Sequence, residues 1–221
     1  MLGDLSKKYE SNGNPGCISS GLGDAGGKSY GMYQMASQMG VVDDYVQWLY
    51  NNGYWFAESL AEHPVGSIAF DEAWRWLAYS NNRADFATSQ HSYIRDVYYK
   101  PAVAALKNAM YDVEGKHNSV MRDVVWSRAV QYGAGNIVEM FVEACNKLGY
   151  PNLSYVDAKE YDRRMIKAIY FDVCSTPEWT NGSPRTEAYA EAIKPSFAIG
   201  FFILPALLRP FRFQLALQCL I

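Results

Sequence analysis

A glutamate and an aspartate near the start of the chain have the surroundings that proton transfer requires. Glu10 closes a short predicted helix whose Leu2, Leu5 and Tyr9 supply an apolar face. A carboxyl placed there meets the negative end of the helix and apolar neighbours, and both raise its pKa. A carboxyl that keeps its proton near neutrality is what a general acid needs. Asp24 follows in the glycine-rich run GLGDAGGK, flanked by Ile18-Ser19-Ser20 and Ser29-Tyr30-Gly31. Glycines accept positive φ, so the run predicts a β-hairpin with Asp24 near its tip. A helix-end glutamate facing a hairpin aspartate is the layout with which two carboxylates cleave a glycosidic bond. The spacing alone is a weak signal, because such pairs are frequent in any sequence.

Other chemistries find less support. His63, His91 and His117 lie apart in polar contexts that predict surface positions. None forms HExxH and none has an obvious nucleophile partner, so metal and His-triad mechanisms fall away, and no cofactor is expected. Cys17, Cys145, Cys174 and Cys219 form no CxxC pair, which argues for reduced thiols over a zinc knuckle. Twenty Lys and Arg against 23 Asp and Glu give a formal charge of −3, without the basic footprint of a nucleic-acid binder. An apolar fraction of 49% against 19% charged residues excludes a disordered chain, and 221 residues suffice for one sizeable core. The 6 Trp, 17 Tyr and 10 Phe supply that core, and also faces able to stack on sugar rings.

The elements that must hold the carboxyls fall into two parts. From Asn12 to Gly31 there are seven glycines, which predicts loops and the tight hairpin. From Val41 onward helical patterns dominate: VVDDYVQWLYNN, YWFAESLAE and SIAFDEAWRWLAYS each fit a short amphipathic helix. The run from Ala84 to Met110 is interrupted at Pro101, which predicts two helices or a kink. Asp157 and Glu160 fit a capping box for a helix whose Tyr161, Ile166, Ile169 and Val173 share a face. The segment SVMRDVVWSRAVQYGAG is apolar around most of its circumference, as in a buried central helix, with Gly133 and Gly135 to end it. Ser127, Arg128 and Gln131 draw a polar strip along its second half, fit either to be a satisfied polar rim or to line a cleft.

The stretch from Tyr9 to Met35 resembles the catalytic segment of the lysozyme-like superfamily, which includes goose-type lysozymes, lytic transglycosylases, phage lysozymes and chitosanases. Transglycosylases of that group read Glu-Ser-x-x-Asn-Pro, a serine, then Gly-Leu-Met-Gln. This chain reads Glu10-Ser11-Asn12-Gly13-Asn14-Pro15, then Ser19-Ser20, then Tyr30-Gly31-Met32-Tyr33-Gln34. With the longer hairpin, and with Trp126-Ser127-Arg128-Ala129-Val130-Gln131 downstream, it resembles phage-encoded peptidoglycan-degrading domains of endolysins and tail proteins. The resemblance is specific from Tyr9 to Met35 and looser as far as Val173.

The resemblance implies a mainly α (α+β), lysozyme-like fold with a small β-hairpin near the N-terminus. It implies hydrolysis of the bond between N-acetylmuramic acid and N-acetylglucosamine in peptidoglycan glycan strands. Glu10 then protonates the leaving oxygen, while Asp24 orients or activates water or stabilises the oxocarbenium-like transition state. Ser29, Tyr30 and Gln34 contact sugar hydroxyls or order the hairpin. Gln131 and Tyr132 are the downstream substrate-binding candidates, with a core role equally open to Tyr132. A hairpin tip over the cleft favours a wide carboxyl gap and inversion. The alternatives are a lytic transglycosylase, which needs no Asp24, a chitosanase, and a virion wall-binding module without turnover.

The expected organisation is a catalytic domain over 1–193 and an apolar tail over 194–221. That tail holds Lys194, Arg209 and Arg212 but no acidic residue. Its apolar run from Phe197 to Leu208 is shorter than the roughly 20 residues a spanning helix needs, and Pro205 and Pro210 interrupt it. The opening MLGDLSKKYES is no signal peptide. The expected route is therefore synthesis in the bacterial cytoplasm and action at the wall, after holin-dependent release or on a phage tail.

Overall fold

Two clusters of buried aromatic and aliphatic side chains organise the described residues into compact units, one over Gly3–Val97 and one from Tyr98 onward. The computed structural model describes residues 2–3, 6, 11–23 and 26–175, with side chains through 171. Glu10, Asp24 and the tail 194–221 therefore lie outside the described residues. So do Leu5 and Tyr9 of the expected first helix, although Ser6 and Ser11 are helical.

In the first unit, β1 (Ser29–Tyr30) and β2 (Met35–Ala36) pair antiparallel, Ser29 opposite Ala36 and Tyr30 opposite Met35. Ile18 bridges to the free side of Tyr30. Helices α1 (Val41–Asn51), α2 (Ala57–Ala61), α3 (Ile68–Tyr79) and α4 (Arg83–Ile94) follow where the periodicity predicts them. Ser67 caps α3 by accepting from the Phe70 N–H, and Phe70, Trp74, Leu77 and Ala78 form its buried stripe. Trp74 is the hub of the core. Its ring centroid lies 4.8 Å from Phe86, 5.2 Å from Tyr30 and 5.7 Å from Tyr45, in edge-to-face contacts. The buried face of α4 is partly polar, with Ser89 and Gln90 wholly buried, because other elements need their hydrogen bonds.

Pro101 does interrupt the 84–110 run, but the irregularity lies upstream of it. A π-helical turn, Arg95–Tyr99, precedes α5 (Lys100–Asn108), so the proline occupies a first-turn position. The backbone stays helical through the junction, and the wider turn just before the proline is where the regular hydrogen-bond ladder is interrupted.

The second unit continues with α6 (Val113–Lys116), α7 (Ser119–Tyr132), α8 (Ile137–Lys147) and α9 (Asp162–Ser175), with α9 packed along α8. Helix α7 is the buried helix the sequence predicts. Asn118 caps it, Met121, Val124, Val125, Trp126 and Ala129 are buried, and Gly133 at φ 81° ends it.

Two expectations are corrected here. Asp157 and Glu160 form no capping box: one Asp157 oxygen accepts from the Asp112 N–H at 2.7 Å and faces His117 Nε2 at 3.2 Å, while the other holds Lys116. The buried stripe of α9 is Asp162, Met165, Ala168, Ile169 and Tyr170, with Tyr161 and Ile166 half-buried. His117 is no surface residue either. Its ring stacks on Tyr111 at 4.0 Å, with Nδ1 2.5 Å from the Asp162 carboxylate. Both ring nitrogens face carboxylate oxygens, Nδ1 that of Asp162 and Nε2 that of Asp157.

Burial pushes the phenols of Tyr30, Tyr45, Tyr99 and Tyr111 well above the ordinary 10.0. An unfolded chain ionises them near that value while the folded one keeps their protons. Their contribution to stability is therefore whole below about pH 10 and is lost as pH rises beyond it. In an alkaline titration the last tyrosinate absorbance should appear together with the loss of helical circular dichroism. Complete ionisation in a chain still fully helical would contradict this packing.

Candidate active site

The site is built from what holds the segments that flank Glu10 and Asp24. Ser11, directly after Glu10, donates its hydroxyl to the Met32 carbonyl at 3.0 Å. Asn14 folds the chain on itself, its side-chain oxygen accepting from the Gly16 N–H at 3.0 Å. The Pro15 carbonyl accepts twice, from Trp74 Nε1 at 2.8 Å and from Gln90 Nε2 at 3.0 Å. The other end of the Gln90 amide accepts from the Met32 N–H at 2.8 Å. One buried amide on α4 thus ties the Asn-Pro segment to the Gly-Met turn. These backbone groups are removed from water, and Gln90 supplies the partners they require.

Gly31 is the point of closest approach. Its φ is 76°, and a β-carbon there would collide with the Gln90 side-chain oxygen and come within 3.0 Å of Trp74. Left-handed strain and overpacking combine, so Gly31→Ala should lower stability by about 3 kcal/mol. Urea denaturation checks this; an unchanged midpoint would mean that the turn is not held as described.

The hairpin that carries Asp24 is anchored along both sides of its second leg. Ser19 N–H donates to Ser29 O at 2.9 Å and Gly31 N–H to Cys17 O at 2.7 Å. On the far side Ser37 N–H donates to Lys28 O at 2.9 Å and Gln38 N–H to Gly26 O at 3.0 Å. The legs touch where Gly21, at φ 67°, meets Gly27 and Lys28: a β-carbon at Gly21 would lie 2.6 Å from their backbone. Beneath them Lys28 Nζ sits 2.7 Å from one Asp71 oxygen, and Tyr30 donates its hydroxyl to the other at 2.5 Å. The chain is thereby held to within two residues of Asp24.

The remaining candidates fall into the two units. Ser29 is half-buried in β1, its N–H donating to Ser19 Oγ at 2.8 Å. Tyr30 is completely buried, and burial, then the bond to Asp71, raises its phenol. It has no exposed surface for a sugar and here orders the hairpin. Gln34, half-buried at φ 50°, donates its amide to Gly31 O at 3.0 Å and closes the turn. In the second unit Gln131 and Tyr132 end α7, both half-buried. Gln131 Oε1 is shielded and has no hydrogen-bond partner among the described residues. Burial raises the Tyr132 phenol.

Sequence reasoning missed the weight of Gln90 and Arg128. Gln90 was discoverable as a glutamine four positions after Phe86 and four before Ile94, on the inward face of α4. Arg128 is fully buried, its guanidinium over the rings of Tyr170 at 5.0 Å and Tyr132 at 5.6 Å. One nitrogen donates to Ser127 Oγ at 2.9 Å, while Nε and Nη1 have no hydrogen-bond partner among the described residues. A cation so placed is costly and marks a position where an anionic or polar group would be favoured.

Among the described residues no cluster of His, Cys, Asp or Glu could hold a metal ion, Cys17 and Cys145 are free thiols, and no helix is long and apolar enough to cross a membrane. In three dimensions the chain is similar to a chitosanase described as a complex structure, with TM-score 0.56 and 15% identity over 86% of this chain and 85% of that one. It is also similar to native chitosanase from Bacillus subtilis MY002, with TM-score 0.54 and 19% identity over 89% and 88% of the two chains. The fold is accordingly mainly α and lysozyme-like, with a small β-hairpin. In sequence the chain is 37% identical over 134 residues to the type VI secretion system spike protein VgrG3 of Vibrio cholerae serotype O1. That match takes in 60% of this chain and spans 12% of the length of the relative. Residues 2–180 match a family model, and the chain belongs to that family: the type VI secretion system spike protein VgrG3-like, C-terminal family.

Proposed function

We propose that this chain is a peptidoglycan glycosidase that cleaves between N-acetylmuramic acid and N-acetylglucosamine with two carboxyl groups and no cofactor. The observation that carries the reading is the mount around Gln90. It locks together the Ser11–Pro15 and Gly31–Met32 parts of the motif that contains Glu10. Catalytic groups act efficiently only when held in place, and that mount is a device for holding. In this reading Glu10 protonates the leaving glycosidic oxygen. Asp24, at the hairpin tip, takes a proton from the attacking water or stabilises positive charge at the reacting carbon. Ser29 and Gln34 border the sugar from the first unit, with Tyr30 as their support. Gln131 and Tyr132, on a helix of the second unit, are separate candidates for sugar contact.

The membership in a spike-protein family supports delivery by a type VI secretion spike, rather than by a phage tail or a holin, to act at the cell wall. We further propose that 1–193 holds the catalytic domain and that 194–221 lies outside it. The fold's likeness to chitosanases favours a second reading, hydrolysis of glucosamine polymers by the same carboxyls. Clearing of purified, protein-free cell walls should separate the two: loss of turbidity with no fall in chitosan viscosity is expected. The opposite pattern would establish the chitosanase.

A further inference from the structure

Helix α3 carries aromatic side chains on two faces with opposite fates. Trp74 is wholly buried, whereas Trp76 is 54% exposed and Tyr79 63% exposed. Three positions apart, Trp76 and Tyr79 are neighbours on the outer face. Trp55, 59% exposed, meets Trp76 with ring centroids 6.4 Å apart and planes at 89°. Its own base is fixed edge-on against buried Phe56 at 5.5 Å. The row runs on from Tyr79 into the segment after Glu10. The Tyr79 ring lies against Gly16, and its hydroxyl accepts from the Asn14 side chain at 3.2 Å. Exposed tryptophans in such a row gain nothing for the fold and mark a surface that meets a partner.

We propose that Tyr79, Trp76 and Trp55 form an aromatic track on which a glycan strand lies outside the cleavage site. The proposal rests on the glycosidase reading and extends it to the length of substrate engaged. Each ring offers a flat apolar face suited to the C–H face of a pyranose, while sugar hydroxyls stay in water. The perpendicular setting of the two tryptophans presents separate ring faces rather than the broad flat surface that a helix or sheet of another protein would cover. Their spacing is about that of one hexose ring, as a stepped chain of sugars requires. Contact of the row with Asn14 and Gly16 makes it continuous with the Glu10 motif. A strand on the track is therefore directed along α3 from that motif.

The test uses the full chain, with peptidoglycan glycan strands freed of stem peptides as one probe and a tetrasaccharide of the same repeat as the other. In the Trp55→Ala/Trp76→Ala double variant, binding to long strands should weaken at least about tenfold, from the loss of two stacking faces. Tetrasaccharide turnover and the unfolding midpoint should stay at wild-type values, since both rings are largely outside the core. Trp76→Phe in place of Trp76→Ala should recover part of the binding. Equal strand binding by wild type and double variant overturns the track alone. A wild-type protein that binds no strand of any length overturns the glycosidase reading with it. A double variant that keeps strand binding but loses self-association in sedimentation overturns the track in favour of a contact between copies.

Discussion

Glu10→Gln should lower the rate of cell-wall hydrolysis by at least about 10²-fold and leave the circular dichroism spectrum and unfolding midpoint in place. The amide matches the carboxyl in size but has no proton to transfer to the leaving oxygen, and general acid catalysis contributes factors of this order. The fold should be indifferent. What holds the segment is Ser11 on Met32 and Pro15 on Trp74 and Gln90, and none of these bonds passes through the Glu10 side chain. A variant that retains more than about a tenth of wild-type activity removes Glu10 from the mechanism, because no general acid leaves so small a trace.

Asp24→Asn should also cost at least about 10²-fold in rate. The leg that follows Asp24 in sequence is bonded on both sides from Gly26 to Gly31, and its backbone meets the other leg at Gly21. A transglycosylase closes the muramic acid on its own hydroxyl and has no use for a base that activates water. Loss of rate in Asp24→Asn therefore speaks for hydrolysis. In a hydrolase a carboxyl separation of about 6.5–9.5 Å leaves room for an inverting water, while about 5–5.5 Å brings retention. The expected product is the inverted anomer. Near-normal activity in Asp24→Asn would make Asp24 an ordinary turn residue.

Much of the helical part was legible because its information is local. The stripes of α1 and α3 and the Gly133 stop each depend on residues within a turn or two. The approach of Ile18 to Tyr30 was legible in the glycines between them, whereas the pairing of Ser29–Tyr30 with Met35–Ala36 was not. What failed to show was every bond made across long stretches of chain. Asp157 looks like a cap for the residues beside it, yet its partners are Asp112, Lys116 and His117, more than forty positions upstream or nearly so. His117 reads as a polar surface residue for the same reason, since nothing near it announces Asp162. Tyr30 reads as able to contact sugar hydroxyls or to order the hairpin, and its hydroxyl bonds Asp71, forty-one positions on. Gln90 could have been singled out by its place on α4, though the sequence could not say that its partners were Pro15 and Met32. The resemblance found the fold and pointed to phage-encoded relatives, while the family match names a secretion spike.

The central claim is tested most directly by the ends that the wild-type protein leaves on purified peptidoglycan. After digestion and borohydride reduction, mass spectrometry should find N-acetylmuramitol termini, the mark of hydrolysis at the muramic acid side. Anhydro-muramic termini would contradict the hydrolytic mechanism, and walls recovered with no new ends at all would contradict the account of this chain as a peptidoglycan glycosidase.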